Sequence, residues 1–280
     1  MKITLITDST CDLTPDQLSE MGIPFAPLKV LFKDKEYVDK IDLTNAQFYG
    51  LMAESKELPT TSQVNPGEFY DLFSKELEMG NQVVGIFLSS ELSGTYNSAV
   101  VAKEMIGSDA IHLIDSRTTS FALGFMIIKL RQKLEEGATV ESLIQYAQSL
   151  VETSKLFGML DTLENLKKGG RLSSGTAMIG KMLNLKPIIT VKDGLVAMAE
   201  KARGSRKGMS WMIEQLAQAY PSGEIDELAI AHANSLDKLE DIKSLILERF
   251  SVKVIHEIEI GSVVGTHTGE GAVGLTYFAK

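Results

Sequence analysis

Cysteine, basic residues and long apolar runs are all scarce in this 280-residue sequence. Cys11 is the only cysteine, which excludes an internal disulfide and a cysteine-rich metal site. Apolar runs such as Val83 to Leu88 are too short to cross a bilayer, and the N-terminus lacks the apolar stretch of a signal peptide. Lysine and arginine total 28 against 37 acidic residues, so the net charge is −9, which disfavours binding to phosphate backbones. We therefore expect a cytoplasmic protein that does not span a membrane and does not bind nucleic acid.

The sequence does contain enough apolar residues for a core, 44% of the chain. In the first half, short apolar runs occur at Ile3 to Ile6, Val83 to Leu88 and Ile111 to Ile114. Each run is followed by a helix signal, such as the cap Thr14-Pro15. Continuous apolar strands that alternate with helices predict a parallel sheet covered on both faces.

Other stretches depart from this alternation. Val30 to Val38 predicts a hairpin, and Leu58 to Pro66, with two prolines, predicts a loop. Beyond residue 157, two apolar runs flank Asp193-Gly194 and predict a second hairpin, and strict alternation from Val252 to Ile260 predicts a half-buried strand. We therefore predict an α/β protein of two domains, residues 1–157 with a parallel sheet covered by helices and residues 158–280 with a mixed sheet.

Two glycine motifs match nucleotide-binding fingerprints in spacing only. Gly269, Gly271 and Gly274 spell G-x-G-x-x-G, but only Leu275 to Lys280 follow, without room for the required helix. The second motif has P-loop spacing but lacks the magnesium-binding Ser or Thr and a preceding strand, and it comprises Gly175, Gly180, Lys181 and Met182. Both motifs are better explained by tight turns, so no nucleotide cofactor is predicted.

The strongest candidate site follows the predicted strand at Val83 to Leu88. Ser93-Gly94-Thr95 begins a helix, and a glycine there exposes backbone N–H groups that suit an anion. A serine hydrolase is the competing interpretation, but Ser93 lacks the G-x-S-x-G pattern. The four histidines have no metal-ligand spacing, so no metal is predicted. Only His267, in a glycine-flanked segment predicted to be a loop, is a candidate ligand contact.

These residues belong to a set of motifs that runs through nearly the whole chain. The set comprises Asp8-Ser9-Thr10, Thr61-Ser62-Gln63, Ser89 to Tyr96, Asp115-Ser116, Leu166 to Arg171, Leu183 to Ile188, Lys201 to Gly204 and Gly265 to His267. Through them the sequence resembles the DegV family of bacterial fatty-acid-binding proteins. One departure is Glu270, where the family pattern has proline.

The resemblance implies a fatty acid enclosed between the two α/β domains. It also implies that a separate fatty-acid kinase converts the presented carboxylate to an acyl phosphate for phospholipid synthesis. Thr61 and Ser93 would then bind the carboxylate within the hydrogen-bond network of His267, and we extend the ligand-binding set to their neighbours Ser62, Gly94 and Thr95.

The resemblance further implies a docking segment for the kinase, formed by Lys167, Lys168 and Arg171, together with Arg203. We therefore predict a non-catalytic lipid-binding protein with no catalytic residues. Two alternatives stay open, which are an enzyme acting on a lipid, either a phosphotransferase or a serine esterase, and a regulatory module that senses a small ligand.

Overall fold

The computed structural model describes residues 2–33, 35–173 and 185–279. The P-loop-like motif at residues 175–182 and the Leu183-Asn184 part of the family motif lie outside these ranges. Within them, no helix is both long enough and apolar enough to cross a membrane.

The N-terminal part is built on a parallel four-stranded sheet, as the sequence predicts. Its strand order is β2-β1-β6-β7, with bounds β1 Ile3–Asp8, β2 Phe25–Ala26, β6 Gln82–Phe87 and β7 Ile111–Asp115. The helices around it are α1 Pro15–Glu20, α2 Asn45–Glu54, α3 Pro66–Glu78, α4 Thr95–Ile106, α5 Ser120–Glu135 and α6 Val140–Thr153. Thr14 begins α1 with a capping box in which it bonds Gln17 in both directions, which satisfies two N–H groups of the first turn.

A small antiparallel sheet lies beside the parallel one. It has the order β4-β3-β5, with β3 Lys29–Phe32, β4 Lys35–Val38 and β5 Thr60–Ser62. The predicted hairpin is confirmed, but the prediction of a loop from Leu58 to Pro66 is wrong at its centre. Pro59 and Pro66 flank the strand rather than interrupt it, so residues 60–62 are free to pair with β3, and Thr61 lies opposite Val30.

The C-terminal part is built on a mixed six-stranded sheet. Its order is β10-β9-β8-β13-β11-β12, with β8 Ser154–Met159, β9 Lys186–Lys192, β10 Leu195–Ala202, β11 Glu224–His232, β12 Ser251–Glu259 and β13 Val273–Phe278. Its helices are α7 Glu164–Lys168, α8 Ser205–Ala219, α9 Leu236–Arg249 and α10 Ser262–Thr268. The predicted β9–β10 hairpin is confirmed. The sheet begins within β8, which contains residues 157 and 158, and a domain boundary at that point stays a prediction.

The two parts are joined by specific contacts as well as by apolar packing. Phe125 of α5 stacks on Phe278 of β13 with ring centroids 4.9 Å apart. Lys129 of α5 forms a 2.7 Å ion pair with Glu227 of β11. The tip of the β9–β10 hairpin is held by Ser89, whose hydroxyl donates to the carbonyl of Gly194 at 2.8 Å. These contacts fix the two sheets around the space between them.

Candidate ligand-binding site

A cavity of about 310 Å³ lies between the two sheets, a size within the usual range of small-molecule sites. Apolar side chains from both parts form much of its wall: Leu88, Leu92, Phe121, Leu156, Leu160, Leu166, Ile189, Val191, Val196, Val263 and Val264. A polar cluster also lines it and comprises Thr61, Ser62, Gln63, Ser93, Gly94, Arg171 and His267. The sequence motifs that are far apart in the chain therefore meet at one cavity.

Thr61 and His267 form the first half of this cluster. Thr61 projects from β5, and its Oγ1 lies 2.9 Å from Nε2 of His267. The prediction that His267 lies in a loop is wrong, because it occupies the last turn of helix α10. Gly261 and Gly269 are the flanking residues of that helix, and Gly269, at φ +79°, ends it in a conformation that favours glycine. The glycines thus mark the ends of a helix and not a flexible segment.

His267 is neutral at neutral pH. Burial, followed by the nearby charge of Arg171, lowers the pKa of its imidazole to about 4. Its Nδ1 is buried and has no hydrogen-bond partner among the residues described. Gly169 packs against this nitrogen so closely that a methyl group at residue 169 would overlap it.

Ser93, Gly94 and Thr95 form the second half, between β6 and α4. Gly94 is required there because a Cβ would lie 2.7 Å from the side-chain Cδ of Gln63. The hydroxyls of Ser93 and Thr95 lie 3.0 Å apart. Ser93 is half-buried and lines the cavity, whereas Thr95 is fully buried and is not among the lining residues described. Ser62 lines the cavity from an exposed position at the end of β5.

The four basic residues predicted to meet a partner lie in two different environments. Lys167 and Lys168 at the end of α7 are exposed, as is Arg203 before α8. Arg171 is half-buried and lines the cavity, and its guanidinium donates to the carbonyls of Leu92 at 3.2 Å and Gly169 at 2.6 Å. Sequence reasoning placed Arg171 only on a partner surface and missed its position at the cavity.

The buried carboxylates after β1 support the cavity from behind. Asp8 accepts from the N–H of Leu88 at 2.7 Å, and burial raises its pKa to about 6. Asp12 accepts from the N–H of Gly261 at 2.9 Å and from the hydroxyl of Ser120, and burial raises its pKa to about 7. Asp12 therefore ties the start of α5 to the start of α10, the helix that carries His267.

Other predicted features take no part in the cavity wall. Glu270, the departure from the family pattern, is exposed and accepts from the side chain of Asn234 at 2.6 Å. His232 accepts from the N–H of Ser235 at 3.1 Å, and His256 contacts Glu227 at 2.9 Å, which fits the structural roles predicted for both. Within the described ranges, no group of three or more His, Cys, Asp or Glu side chains could hold a metal ion.

The arrangement has the chemistry of a binding site for an amphipathic anion. Hydroxyl donors, a neutral histidine and one guanidinium face a cavity whose remaining wall is largely apolar. An anion removed from water needs several donors, and an apolar tail gains from leaving water. The fold and the site together define a two-sheet α/β protein with an enclosed ligand cavity at the junction.

Comparison with known proteins assigns the family. The DegV family model, described as an uncharacterised protein family, matches residues 2–280. A DegV domain-containing protein of Clostridium acetobutylicum is 36% identical over 279 residues, covering 100% of this chain and 99% of the relative. One of Caldanaerobacter subterraneus is 32% identical with the same coverage. The chain belongs to the DegV family.

Solved structures agree with this assignment over the full length. A DegV family protein from Thermus thermophilus, described as binding fatty acid, superposes with a TM-score of 0.93 at 30% identity and covers 100% of both chains. DegV of Bacillus subtilis, described as a fatty acid binding protein, superposes with a TM-score of 0.89 at 33% identity, again covering 100% of both chains. The resemblance inferred from the motifs is confirmed.

Proposed function

We propose that this protein binds one long-chain fatty acid in the cytoplasm, without catalysing a reaction itself, and presents the carboxylate to a separate fatty-acid kinase. The observation that carries the proposal is the pairing of a largely apolar cavity of about 310 Å³ with a cluster of donors on its wall. Each buried CH₂ group contributes about 0.8 kcal/mol, so an enclosed acyl chain supplies most of the affinity. The donor cluster then fixes which end of the ligand lies at Thr61 and Ser93.

Fatty-acid binding is tested by native mass spectrometry of the purified full-length protein. We expect a bound mass equal to one fatty acid, which is lost after delipidation and restored by adding long-chain fatty acid. A bound nucleotide, or hydrolysis of an added lipid ester, would favour an enzyme instead. A delipidated protein that takes up no fatty acid would refute the proposal.

The docking part of the proposal rests on exposed cations. Lys167, Lys168 and Arg203 carry positive charge into solvent on a chain of net charge −9, and they suit an acidic surface on the kinase. Arg171 lines the cavity, so a change there affects the ligand and the partner together. The docking test therefore uses the exposed residues.

The test is phosphorylation of the bound acid by the kinase, measured beside fatty-acid affinity. We expect charge reversal of Lys168 and Arg203 to Glu to slow phosphorylation and leave fatty-acid affinity unchanged. Lys253→Glu is the matched control, because it reverses a charge on an exposed side chain of the edge strand β12. Equal phosphorylation rates for the wild type and the Lys168/Arg203 variant would remove these residues from the docking surface.

A further inference from the structure

The hydroxyl of Thr95 has a restricted choice of hydrogen bonds. Thr95 is fully buried, and its Oγ1 accepts from the N–H of Val64 at 3.4 Å. Its other contact among the described residues is the hydroxyl of Ser93 at 3.0 Å. The backbone N–H of Thr95 also donates to Oγ of Ser93 at 3.3 Å. Whichever hydroxyl donates in this pair decides where the hydrogen of Ser93 points.

Counting donors and acceptors selects one arrangement. A hydroxyl has one hydrogen and two lone pairs. If Ser93 donates to Thr95, the hydrogen of Thr95 is buried with no acceptor among the described residues, which is the costly outcome. If Thr95 donates to Ser93, both hydroxyls of the pair are satisfied, and Ser93 accepts twice from Thr95. The hydrogen of Ser93 is then free to point into the cavity that Ser93 lines.

The same accounting applies to Thr61 and His267. A neutral imidazole carries its proton on either Nε2 or Nδ1. A proton on Nδ1 would be a buried donor with no partner, since Nδ1 contacts no acceptor in the described part of the chain. A proton on Nε2 donates to Oγ1 of Thr61 across 2.9 Å and leaves only a lone pair unused, which is the less costly defect. The hydrogen of Thr61 is then also free for the cavity.

We propose that Thr95 is a positioning residue which, in parallel with His267, turns the hydroxyl hydrogens of Ser93 and Thr61 toward the ligand head group. This inference rests on the proposed fatty-acid-binding function and deepens it. A carboxylate has only acceptors and satisfies both hydrogens. An alcohol brings a hydrogen of its own, which would face two oxygens that are already donating toward it. The site therefore selects a carboxylate over an alcohol of the same chain length through the direction of two hydroxyls.

The experiment compares two head groups on three forms of the full-length, delipidated protein. The dissociation constants of tetradecanoate and tetradecan-1-ol are measured by displacement of a fluorescent fatty acid from the wild type, Thr95→Val and Thr95→Ser. Valine keeps the shape of threonine and removes the hydroxyl, while serine keeps the hydroxyl. We expect Thr95→Val to weaken tetradecanoate binding about tenfold, to leave tetradecan-1-ol nearly unchanged, and Thr95→Ser to resemble the wild type.

Several results would overturn the inference. Equal losses for both head groups in Thr95→Val, or a loss in Thr95→Ser as large as in Thr95→Val, would mean that Thr95 acts through packing alone. Even if Thr95→Val fails to fold, a wild type that binds both head groups equally well would refute head-group selection. A ¹⁵N spectrum of the wild type that places the His267 proton on Nδ1 would refute the arrangement at Thr61. A wild type that binds neither compound would instead refute the proposed function.

Discussion

Gly169→Ala tests whether the imidazole of His267 must stay where the structure places it. Gly169 has φ −74°, a conformation that alanine adopts without strain, so the substitution acts through its methyl group alone. That methyl group would overlap Nδ1 of His267 and lie 2.8 Å from Cε1, whereas ordinary van der Waals contact begins at 3.4 Å. The imidazole must therefore move on the order of 1 Å, because such close packing leaves no other relief.

A movement of this size breaks the hydrogen bond to Thr61. The bond is 2.9 Å long, and a hydrogen bond is lost by about 3.6 Å. A neutral hydrogen bond contributes roughly 0.5–1.5 kcal/mol, so fatty-acid affinity should fall about two- to twelvefold. We expect this loss to come with a modest decrease in the free energy of unfolding.

Gly170→Ala is the matched control, one residue away. A methyl group there meets nothing within 4 Å, but Gly170 has φ +69°, so alanine costs about 1 kcal/mol of stability through backbone strain. The assay is displacement of a fluorescent fatty acid, together with thermal unfolding of each ligand-free variant. Affinity should fall in Gly169→Ala and stay at the wild-type value in Gly170→Ala. If both variants, or neither, lose affinity, the position of His267 does not control binding.

Two further predictions address the donors and the histidine. Ser93→Ala and Thr61→Ala should each weaken fatty-acid binding about tenfold or more while the fold persists, since each removes a bond to a charged group; unchanged dissociation constants for both would contradict the site. Because the pKa of His267 is lowered from 6.5 to about 4, its neutral form adds stability that is complete above about pH 6.5 and lost as the pH falls toward 4. Unfolding measured at pH 7.5 and pH 5 should therefore show a larger loss of stability in the wild type than in His267→Gln, and the comparison cancels the opposite effect of Asp8 and Asp12, whose raised pKa values favour the folded state as they are protonated. Equal losses in the two proteins would contradict a buried, neutral His267.

The sequence by itself determined the features that depend on neighbouring residues. The parallel strands followed from short apolar runs, and helix α1 followed from the cap at Thr14. The β9–β10 hairpin followed from Asp193-Gly194, where both residues have the positive φ that this turn needs. The anion-type turn at Ser93-Gly94 was also visible, since its chemistry lies within three residues. The family motifs then extended the prediction to the whole chain.

Only the tertiary structure decided the features that depend on distant partners. Residues 60–62 became a strand because β3 offers them hydrogen-bond partners, and the glycines around His267 became the ends of a helix because Asp12 and Tyr49 hold its start. Arg171 turned toward the cavity because carbonyls of Leu92 and Gly169 accept its donors. The lowered pKa of His267 arises from burial and from the charge of Arg171. Burial, long-range pairing and local charge are properties of the packed chain, so no pattern of neighbouring residues could have fixed them.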